Sequence, residues 1–424
     1  MRLNYKPIGK YIRLVDERNA GLKIQTLLGL SISKEFIPSV ANIIGSDMEN
    51  YKIIRRNQFA CSLMQVRRDK KMPVALLKEM DEAIISQAYP VFEVIDTEVL
   101  LPEYLMMWFS RPEFDREACF YAVGGVRGGL EWEDLCNMQL PVPSIEKQKD
   151  IVKEYHTIVN RITLNEQLIQ KLEETAQTIY KQWFVDFEIP DDNGTPYKSS
   201  GGTMEYNSDI RKDIPKGWEV RPVGFLVKNS LGGDWGVGEL DGTYNKKVLC
   251  LRGTDIPNFT NGIFDSMPER YIPDRNLKSK CLGKNHLVVE ISGGSPTQST
   301  GRSTLISEEH IKKLKHPVIC SNFCRAIELT SEEYSYFLYR TFRYLYATGL
   351  VFNYENSTTG VKNFNLSSFL SEEFIPIPPK NMVIRFSRVS EVVNRNIITI
   401  GQEIEKLLRD HDMLLAYFLM GHSE

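Results

Sequence analysis

An internal repeat with an offset of 235 residues constrains the fold of this chain more than any other feature. The tripeptide Pro-Val-Pro at 141–143 has a counterpart, Pro-Ile-Pro, at 376–378. The same offset, without a gap, relates further pairs along roughly a hundred residues: Ile84 and Ile319, Ser86 and Ser321, Gly125-Val126-Arg127 and Gly360-Val361-Lys362, Leu135 and Leu370, and Gln167, Ile169, Lys171 and Leu172 with Gln402, Ile404, Lys406 and Leu407. This shared register predicts two copies of one structural plan.

Each copy ends in a helical pattern whose apolar positions alternate in steps of four and three, as at the a and d positions of a coiled coil. The first seam is Ile151, Tyr155, Ile158, Ile162, Asn165, Ile169, Leu172, Ala176, Ile179 and Trp183. The second is Phe386, Ser390, Val393, Ile397, Ile400, Ile404, Leu407, His411, Leu414 and Phe418. Two seams of equal length in one chain favour an intramolecular coiled coil, antiparallel if the two preceding domains lie at opposite ends. Alternatively, each helix packs on its own domain. Asn165, the polar member of the first seam, is either a residue that sets the register of the coiled coil or a solvated position at its edge.

A mixed segment precedes each helix, with short β-branched runs such as KVLCL and VFEVI and helical stretches such as PEYLMMWFS. These patterns predict an α+β fold: two globular domains in tandem repeat, separated by two long helices that form an antiparallel coiled coil. The predicted boundaries are 1–143 for the first domain, 144–190 for the central helix, 191–213 for a linker of turn residues, 214–378 for the second domain and 379–424 for the C-terminal helix.

Composition places the chain among ordinary globular proteins, since 25% of its 424 residues are charged and 42% hydrophobic. The seven cysteines are dispersed and form no CxxC pair, which favours reduced thiols in the cytoplasm. Cys320 and Cys324 lie four residues apart, but no second ligand pair accompanies them, so a zinc site is the less favoured alternative. Neither a signal peptide nor a membrane-spanning run is predicted.

No catalytic or cofactor-binding constellation stands out, and we expect no catalytic residues, no metal and no cofactor in this chain. The segment Gly293–Ser303 is the nearest candidate for a phosphate-binding loop. It has the wrong spacing and an Arg where the lysine should stand, so a polar hairpin loop is the preferred interpretation. The histidines lack the i, i+4 pairing of a metal site.

Local charge differs from the net charge of −3. Residues 51–72 carry seven Lys and Arg against one Asp, and residues 275–315 carry eight against three Glu, whereas residues 141–209 are acidic. Basic domains around an acidic spacer suit phosphate neutralisation, although a solvated basic face would have the same composition. The candidate DNA-contacting residues are Arg55, Arg56, Arg67, Arg68, Lys70, Lys71, Ser295, Thr297, Gln298, Thr300, Arg302 and Lys362.

Several motifs resemble the DNA-specificity subunits of type I restriction–modification systems. They are IPKGWE (214–219), GGDWG (232–236), SGGSPTQSTGR (292–302), STTGVKNFNLSSF (357–369), PVPSIEKQ (141–148) and KQWFVDFEIP (181–190), which together span most of the chain. The segment PPKNMVIRF, which leads into the second long helix as PVPSIEKQ leads into the first, lacks the acidic-Gln pair of PVPSIEKQ. In addition, GGVRGGLEW departs from the pattern of STTGVKNFN.

The resemblance implies two target-recognition domains that each read one half of a bipartite, asymmetric site on double-stranded DNA. It also implies two methyltransferase subunits on the helical spacer, for adenine-N6 methylation, and two motor-nuclease subunits for restriction. The cofactors S-adenosylmethionine, ATP and magnesium would belong to those partners. A helix from Ile151 to Phe184 would be about 50 Å long, and one DNA turn is ~34 Å.

Two other classes of protein remain open from the residues alone. One is a coiled-coil scaffold whose paired domains bind proteins or other ligands and have no role on DNA. The other is a fused nuclease–methyltransferase enzyme, which the missing motifs disfavour. DNA affinity that falls steeply with salt would separate the first alternative from a DNA-binding subunit.

Overall fold

The computed structural model describes residues 5–39, 47–64, 66–122, 128–294, 298–358 and 360–419. The chain divides into two compact units. The first unit is Met1–Arg161 with Leu407–Glu424, and the second unit is Ile162–Lys406. Gly125, Val126 and Arg127, which belong to the sequence repeat, lie outside the described residues.

Two four-stranded sheets form the globular part of the first unit. The antiparallel sheet contains, in spatial order, Ile12–Val15, Val91–Val94, Gln58–Cys61 and Val74–Leu76. The mixed sheet contains Phe36–Pro38, Leu27–Leu30, Glu82–Ile85 and Lys52–Arg55, of which Leu27–Leu30 and Glu82–Ile85 are parallel. A ribbon pairs Tyr5–Pro7 with Gln139–Pro141. The short helices are Val66–Asp69, Pro102–Phe109, Pro112–Tyr121 and Trp132–Asn137.

Aromatic side chains fill the core of the first unit. Phe59 and Phe92, on neighbouring strands of the antiparallel sheet, stack with ring centroids 4.9 Å apart, and Phe109 meets both rings edge-on. All three are buried. Pro102 begins the helix that carries Phe109, where its missing N–H costs no helical hydrogen bond.

The second unit repeats this arrangement. Its antiparallel sheet contains Val227–Gly232, Cys324–Leu329, Leu287–Glu290 and Ser303–Leu305. Its mixed sheet contains Glu269–Pro273, Tyr244–Leu251 and Val318–Cys320. A small sheet contains Ser292–Gly293, Val361–Phe364 and Glu355–Thr358, and a ribbon pairs Glu219–Pro222 with Phe374–Ile377. The short helices are Ile256–Thr260, Asp274–Lys280, Glu308–Lys313, Ser335–Ala347 and Leu366–Glu372.

The same connectivity occurs in both units. In each antiparallel sheet, the first strand in sequence pairs with the last, and the two middle strands in sequence pair with each other. In each mixed sheet, one pair is parallel: Leu27–Leu30 with Glu82–Ile85, and Tyr244–Leu251 with Val318–Cys320. The residues matched by the sequence repeat, Ile84 and Ile319, lie in these equivalent parallel strands. The repeat is therefore a repeat of topology.

Each unit continues into a helix of 40 residues, Ile145–Phe184 and Lys380–Leu419, and both ends of these helices are 235 positions apart. The helices pack together in opposite directions. Trp183, near the end of the first helix, meets Phe386, near the start of the second, with ring centroids 5.9 Å apart. Tyr155, near the start of the first, lies 5.1 Å from the ring of His411 near the end of the second. The predicted antiparallel coiled coil is confirmed.

The predicted seam residues face inward. Ile169, Ile397 and Ile404 form a buried cluster. The remaining seam residues whose side chains are described are buried or half-buried: Ile151, Tyr155, Ile158, Ile162, Asn165, Leu172, Ala176, Ile179, Trp183, Phe386, Ser390, Val393, Ile400, Leu407, His411 and Leu414. Asn165 is only 4% exposed, so it is not a solvated edge position. The side chain of Phe418 lies outside the described part of the chain.

The second long helix also holds the globular part of its own unit, as the alternative interpretation expected. A Cβ atom on Gly401 would lie 1.7 Å from the carbonyl oxygen of Asn261, so only glycine permits this contact. Beside it, the Gln402 amide donates to the carbonyl of Gly262 at 2.6 Å, and the Glu405 carboxylate accepts from the backbone N–H groups of Phe264 and Asp265. The turn at 261–265 is thereby fixed to the helix.

Residues 191–213 contain more structure than a linker of turn residues. Strand Met204–Asn207 pairs with Lys212–Pro215 as a hairpin. Ile214, at the end of this hairpin, is buried in the core of the second unit, which explains why the segment is ordered. The described helices include none that is long and apolar enough to cross a membrane.

Candidate nucleic-acid interface

Three segments of the second unit meet at one end of its antiparallel sheet. Residues 233–236 follow Val227–Gly232, residues 291–302 connect Leu287–Glu290 to Ser303–Leu305, and the turn at 321–323 precedes Cys324–Leu329. Because neighbouring strands are antiparallel, the end of one strand lies beside the start of the next. The pairs Gly232 with Arg325, and Glu290 with Cys324, fix this arrangement. We call this end of the sheet the polar edge, and residues 291–302 the second connection.

A cavity of about 870 Å³ opens between these segments. Gly233 allows the first segment to approach the turn, because a Cβ atom there would lie 1.9 Å from the carbonyl oxygen of Ser321. Trp235 and Phe323 line the cavity and are 38% and 62% exposed. The guanidinium of Arg270 lies over the Trp235 ring, 4.1 Å from its centroid. Exposed aromatic faces beside cationic groups are typical of surfaces that contact nucleic acid.

A buried ion pair forms the floor of the cavity. Arg302 donates to both carboxylate oxygens of Glu290, at 2.8 and 2.7 Å. These hydrogen bonds raise the pKa of Arg302 despite its partial burial. Glu290 ends one strand and Arg302 precedes the next, so the pair ties the two ends of the second connection together.

The other predicted residues of this unit differ in exposure. Thr300 is 2% exposed and donates its N–H and hydroxyl to Glu355, at 2.8 and 2.9 Å. Lys362 lies 3.5 Å from the same Glu355 and donates to the backbone carbonyl of Gln298 at 3.3 Å. Gln298 itself is exposed in the cavity. Ser295 and Thr297 lie outside the described residues.

The first unit has an equivalent edge, which we also call a polar edge. Residues 62–73, the first connection, join Gln58–Cys61 to Val74–Leu76, the counterparts of the strands that the second connection joins. The first connection carries Arg67, Arg68, Lys70 and Lys71. The two groups of residues that the sequence singled out as basic and polar therefore occupy the same position in the two copies.

The structure separates the predicted basic cluster of the first unit. Arg55 pairs with Glu17 and Glu82 at 2.7 Å, and Arg56 pairs with Asp81 at 2.9 Å. Arg55 lies opposite Glu82, which is the first residue of the strand Glu82–Ile85. These arginines are therefore at the other end of the unit from the turn that follows Ile85. The hydrogen bonds and charge of Glu17 raise the pKa of Arg55.

Within the first connection, one cation is neutralised by its neighbour. Arg68 pairs with Asp69 at 2.7 Å, and this hydrogen bond raises its pKa. Arg67, Lys70 and Lys71 are exposed, and across the described ranges none of the three has an ion pair. Their charge is available to a ligand.

The described residues hold no group of three His, Cys, Asp or Glu that could bind a metal ion. Cys320 and Cys324, the alternative zinc pair, are buried thiols. Burial raises the pKa of Cys320 to about 11 and also raises that of Cys324, which disfavours the thiolates that zinc would need.

Sequence reasoning did not select three residues of the polar edge: Trp235, Asn322 and Phe323. Trp235 lies within the GGDWG motif, where two glycines before an aromatic residue were an available signal of close backbone approach. Asn322 and Phe323 directly follow Ser321, which matches Ser86 in the repeat. The only signal for them was the alignment of the two copies.

Comparison with known proteins agrees with this architecture. Residues 67–174 match the family model of the type I restriction modification DNA specificity domain. The specificity subunit of the type I restriction enzyme MjaIX from Methanocaldococcus jannaschii is 23% identical over 333 residues, which cover 77% of this chain and 70% of that protein. The specificity subunit of the type I restriction enzyme HindI from Haemophilus influenzae is 21% identical over 382 residues, which cover 81% of this chain and 82% of that protein.

A solved structure shows the same fold. The crystal structure of a type I restriction–modification S subunit from M. genitalium aligns with a TM-score of 0.56 and 12% identity, covering 99% of this chain and 96% of that one. In the matched specificity domain, in the two relatives and in the fold of two domains with two long helices, the chain is similar to type I restriction–modification specificity subunits.

Proposed function

We propose that this protein is the sequence-specific DNA-binding subunit of a type I restriction–modification complex, in which each unit reads one half of a bipartite, asymmetric site on double-stranded DNA. One observation carries the proposal: the equivalent connection of the two units is basic in the first and rich in Ser, Thr and Gln in the second. Because both connections occupy the same position in the fold, we infer that both contact DNA. Because their side chains differ, the two half-sites have different sequences.

The side chains at the polar edges suit both kinds of DNA contact. Exposed Arg67, Lys70 and Lys71 can neutralise phosphates, which provides affinity without sequence information. Gln298 and Asn322 present amides that donate and accept hydrogen bonds, as base edges in the major groove require. Arg55, Arg56 and Arg68 stay candidates, although each is engaged by a carboxylate in the unbound protein.

The chain is not catalytic by itself, since its relatives are specificity subunits. In our proposal, partner methyltransferase subunits transfer a methyl group to adenine N6, and motor-nuclease subunits cleave the DNA. The internal repeat supports two copies of each partner, because a chain with two similar halves offers two similar binding surfaces. A helix of 40 residues is about 60 Å long, enough to separate half-sites by one DNA turn of ~34 Å. We propose that the complex works in the cytoplasm.

Exchange of residues 215–378 for the same segment of another specificity subunit tests the proposal. Sequencing the methylome of a strain with the exchanged chain should show one altered half-site and one unchanged half-site. An unchanged motif would exclude the assignment of one half-site to each unit.

A salt series tests the competing interpretation, a scaffold without a role on DNA. With the methyltransferase subunits present, we expect the logarithm of the affinity for a DNA duplex to fall linearly with the logarithm of the salt concentration. Salt-independent binding would favour the scaffold.

A further inference from the structure

Each unit carries a four-residue turn at the same place in its fold. The first turn, residues 86–89, joins Glu82–Ile85 to Val91–Val94, and the second, residues 321–324, joins Val318–Cys320 to Cys324–Leu329. The N–H of Tyr89 donates to the carbonyl of Ser86 at 3.1 Å, and that of Cys324 donates to Ser321 at 3.0 Å. The same hydrogen bond closes both turns, 235 positions apart, so the central residues of the turns are equivalent.

Both turns present an amide side chain followed by an apolar one. Gln87 and Ala88 are exposed at the tip of the first turn, and Asn322 and Phe323 are exposed at the tip of the second. Among the described residues, neither amide has a protein hydrogen-bond partner. Phe323 exposes 62% of its surface, because it lies at the tip of a turn that is closed by backbone hydrogen bonds. These four side chains are free to contact a ligand.

The turns lie at the polar edges. The N–H groups of Ile291 and Ser292, at the start of the second connection, donate to the carbonyl of Phe323 at 2.8 and 3.2 Å. In the first unit, the N–H of Cys61, which precedes the first connection, donates to the carbonyl of Pro90 beside the turn at 3.1 Å. A DNA duplex that contacts a connection is therefore within reach of the neighbouring turn.

We propose that Gln87 and Asn322 each read one adenine, one in each half-site, and that Ala88 and Phe323 contact the methyl group of a neighbouring thymine. This inference rests on the proposed function. An amide of Asn or Gln can accept from N6 and donate to N7 of adenine at the same time, and small or aromatic apolar side chains fit the thymine methyl. In the first unit, the exposed cations Arg67, Lys70 and Lys71 of the adjacent connection suit the phosphates, which leaves the neutral turn tip for the bases.

Substitution to alanine tests each turn separately. In the complete complex with its methyltransferase subunits, Asn322→Ala should relax one adenine position in one half-site, with discrimination falling roughly tenfold. Gln87→Ala should relax one adenine position in the other half-site. The readout is the methylated motif, obtained by methylome sequencing of strains that carry each variant. Asn322→Gln keeps the amide and should keep adenine at that position.

Matched controls remove exposed amides elsewhere. Asn193→Ala and Gln139→Ala should leave the motif unchanged, because both residues are exposed but lie outside the turns and connections. Thermal unfolding of the full chain should be the same for Asn322→Ala and the original protein, since an exposed side chain is removed. The inference is overturned if the motif of Asn322→Ala or Gln87→Ala is unchanged, or if methylation falls equally at all sites. A wild-type complex without a bipartite motif would instead overturn the proposed function.

Discussion

The guanidinium of Arg340 lies 2.6 Å from the carboxylate of Glu173, and none of the arginine side chain reaches solvent. Arg343 contacts the same carboxylate at 2.7 Å. The two residues join the helix Ser335–Ala347 to the first long helix. Burial opposes ionisation of Glu173, but the charges of Arg340 and Arg343 and the hydrogen bond from Arg340 outweigh it and lower the pKa of Glu173.

Removal of the Glu173 charge should destabilise the protein strongly. Glu173→Gln leaves Arg340 buried without a counter-charge, and breaking a buried ion pair in this way costs about 3–5 kcal/mol. Urea unfolding of the full chain would measure the decrease in stability. As a control, Glu174→Gln removes a carboxylate that pairs with Lys171 on the exposed face, where we expect no measurable loss of stability. Equal decreases from both variants would contradict the assignment.

The first connection should supply part of the electrostatic binding to DNA. We expect the triple variant Arg67→Gln, Lys70→Gln, Lys71→Gln to weaken binding at every DNA sequence. The slope of log affinity against log salt should become shallower by up to about 0.9 for each phosphate that the variant no longer neutralises. The control is Arg55→Gln with Arg56→Gln, which removes cations already paired with carboxylates at the other end of the unit. A larger effect from the control would place the DNA at that end.

Stability should depend on the protonation of His310. The buried ring stacks on Phe259 with centroids 4.3 Å apart, its Nε2 donates to the Phe259 carbonyl at 3.0 Å, and its Nδ1 accepts from the N–H of Ser307 at 3.2 Å. Burial lowers the pKa of His310 to about 4, and the hydrogen bond to Phe259 opposes this only in part.

The direction of the pH effect follows from that pKa. The unfolded chain takes up a proton near pH 6.5, but the folded protein does so only near pH 4, so stability is complete above pH 6.5 and falls as the pH decreases towards 4. The decrease should reach roughly 3 kcal/mol. Urea unfolding at pH 7.5 and 4.5 should show a smaller difference for His310→Gln than for the original protein. Parallel pH curves would disprove this role.

Gly401→Ala should lower stability although alanine favours helices. The gain in helix propensity is ~1 kcal/mol. The added methyl group, however, would meet a backbone carbonyl at 1.7 Å, which cannot rotate away. Overpacking of this kind costs about 1–3 kcal/mol, and we expect the upper end and a net destabilisation of about 2 kcal/mol. Glu166→Ala, at the repeat-related and exposed position of the first helix, is the control and should not destabilise. A higher melting temperature for Gly401→Ala would refute the close approach.

The helices were predictable because their signal is periodic and long. Forty residues with apolar positions in steps of four and three leave few alternative structures, and the positions of Ile169, Ile397 and Ile404 followed directly. The α+β class followed from short β-branched runs between helical stretches. The hairpin at 204–215 was missed because its strands are short and mostly exposed.

The candidate interface was harder to predict because distance along the chain is not distance in space. Arg55 and Arg67 belong to one basic segment of the sequence, yet the strand Gln58–Cys61 runs between them, so their segments lie at opposite ends of that strand. Conversely, Trp235, Asn322 and Arg302 are far apart in sequence and line one cavity. Strand order, which no local pattern encodes, decides both results.

The close approach at Gly401 bears on how such a chain can evolve after its two halves arise from one ancestor. The first helix has Glu166 where the second has Gly401, so the two helices have each adapted to a different neighbour. Recombination between the halves inside a helix would place a bulky side chain against the Asn261 turn. A crossover at the Pro-Ile-Pro segment, just before residue 380, would combine the Asn261 turn of one chain with the long helix of another, and their close contact would not be preserved. A crossover that keeps the turn and this helix together preserves the contact. Inheritance of a new recognition domain is therefore expected to include part of the helix that follows it.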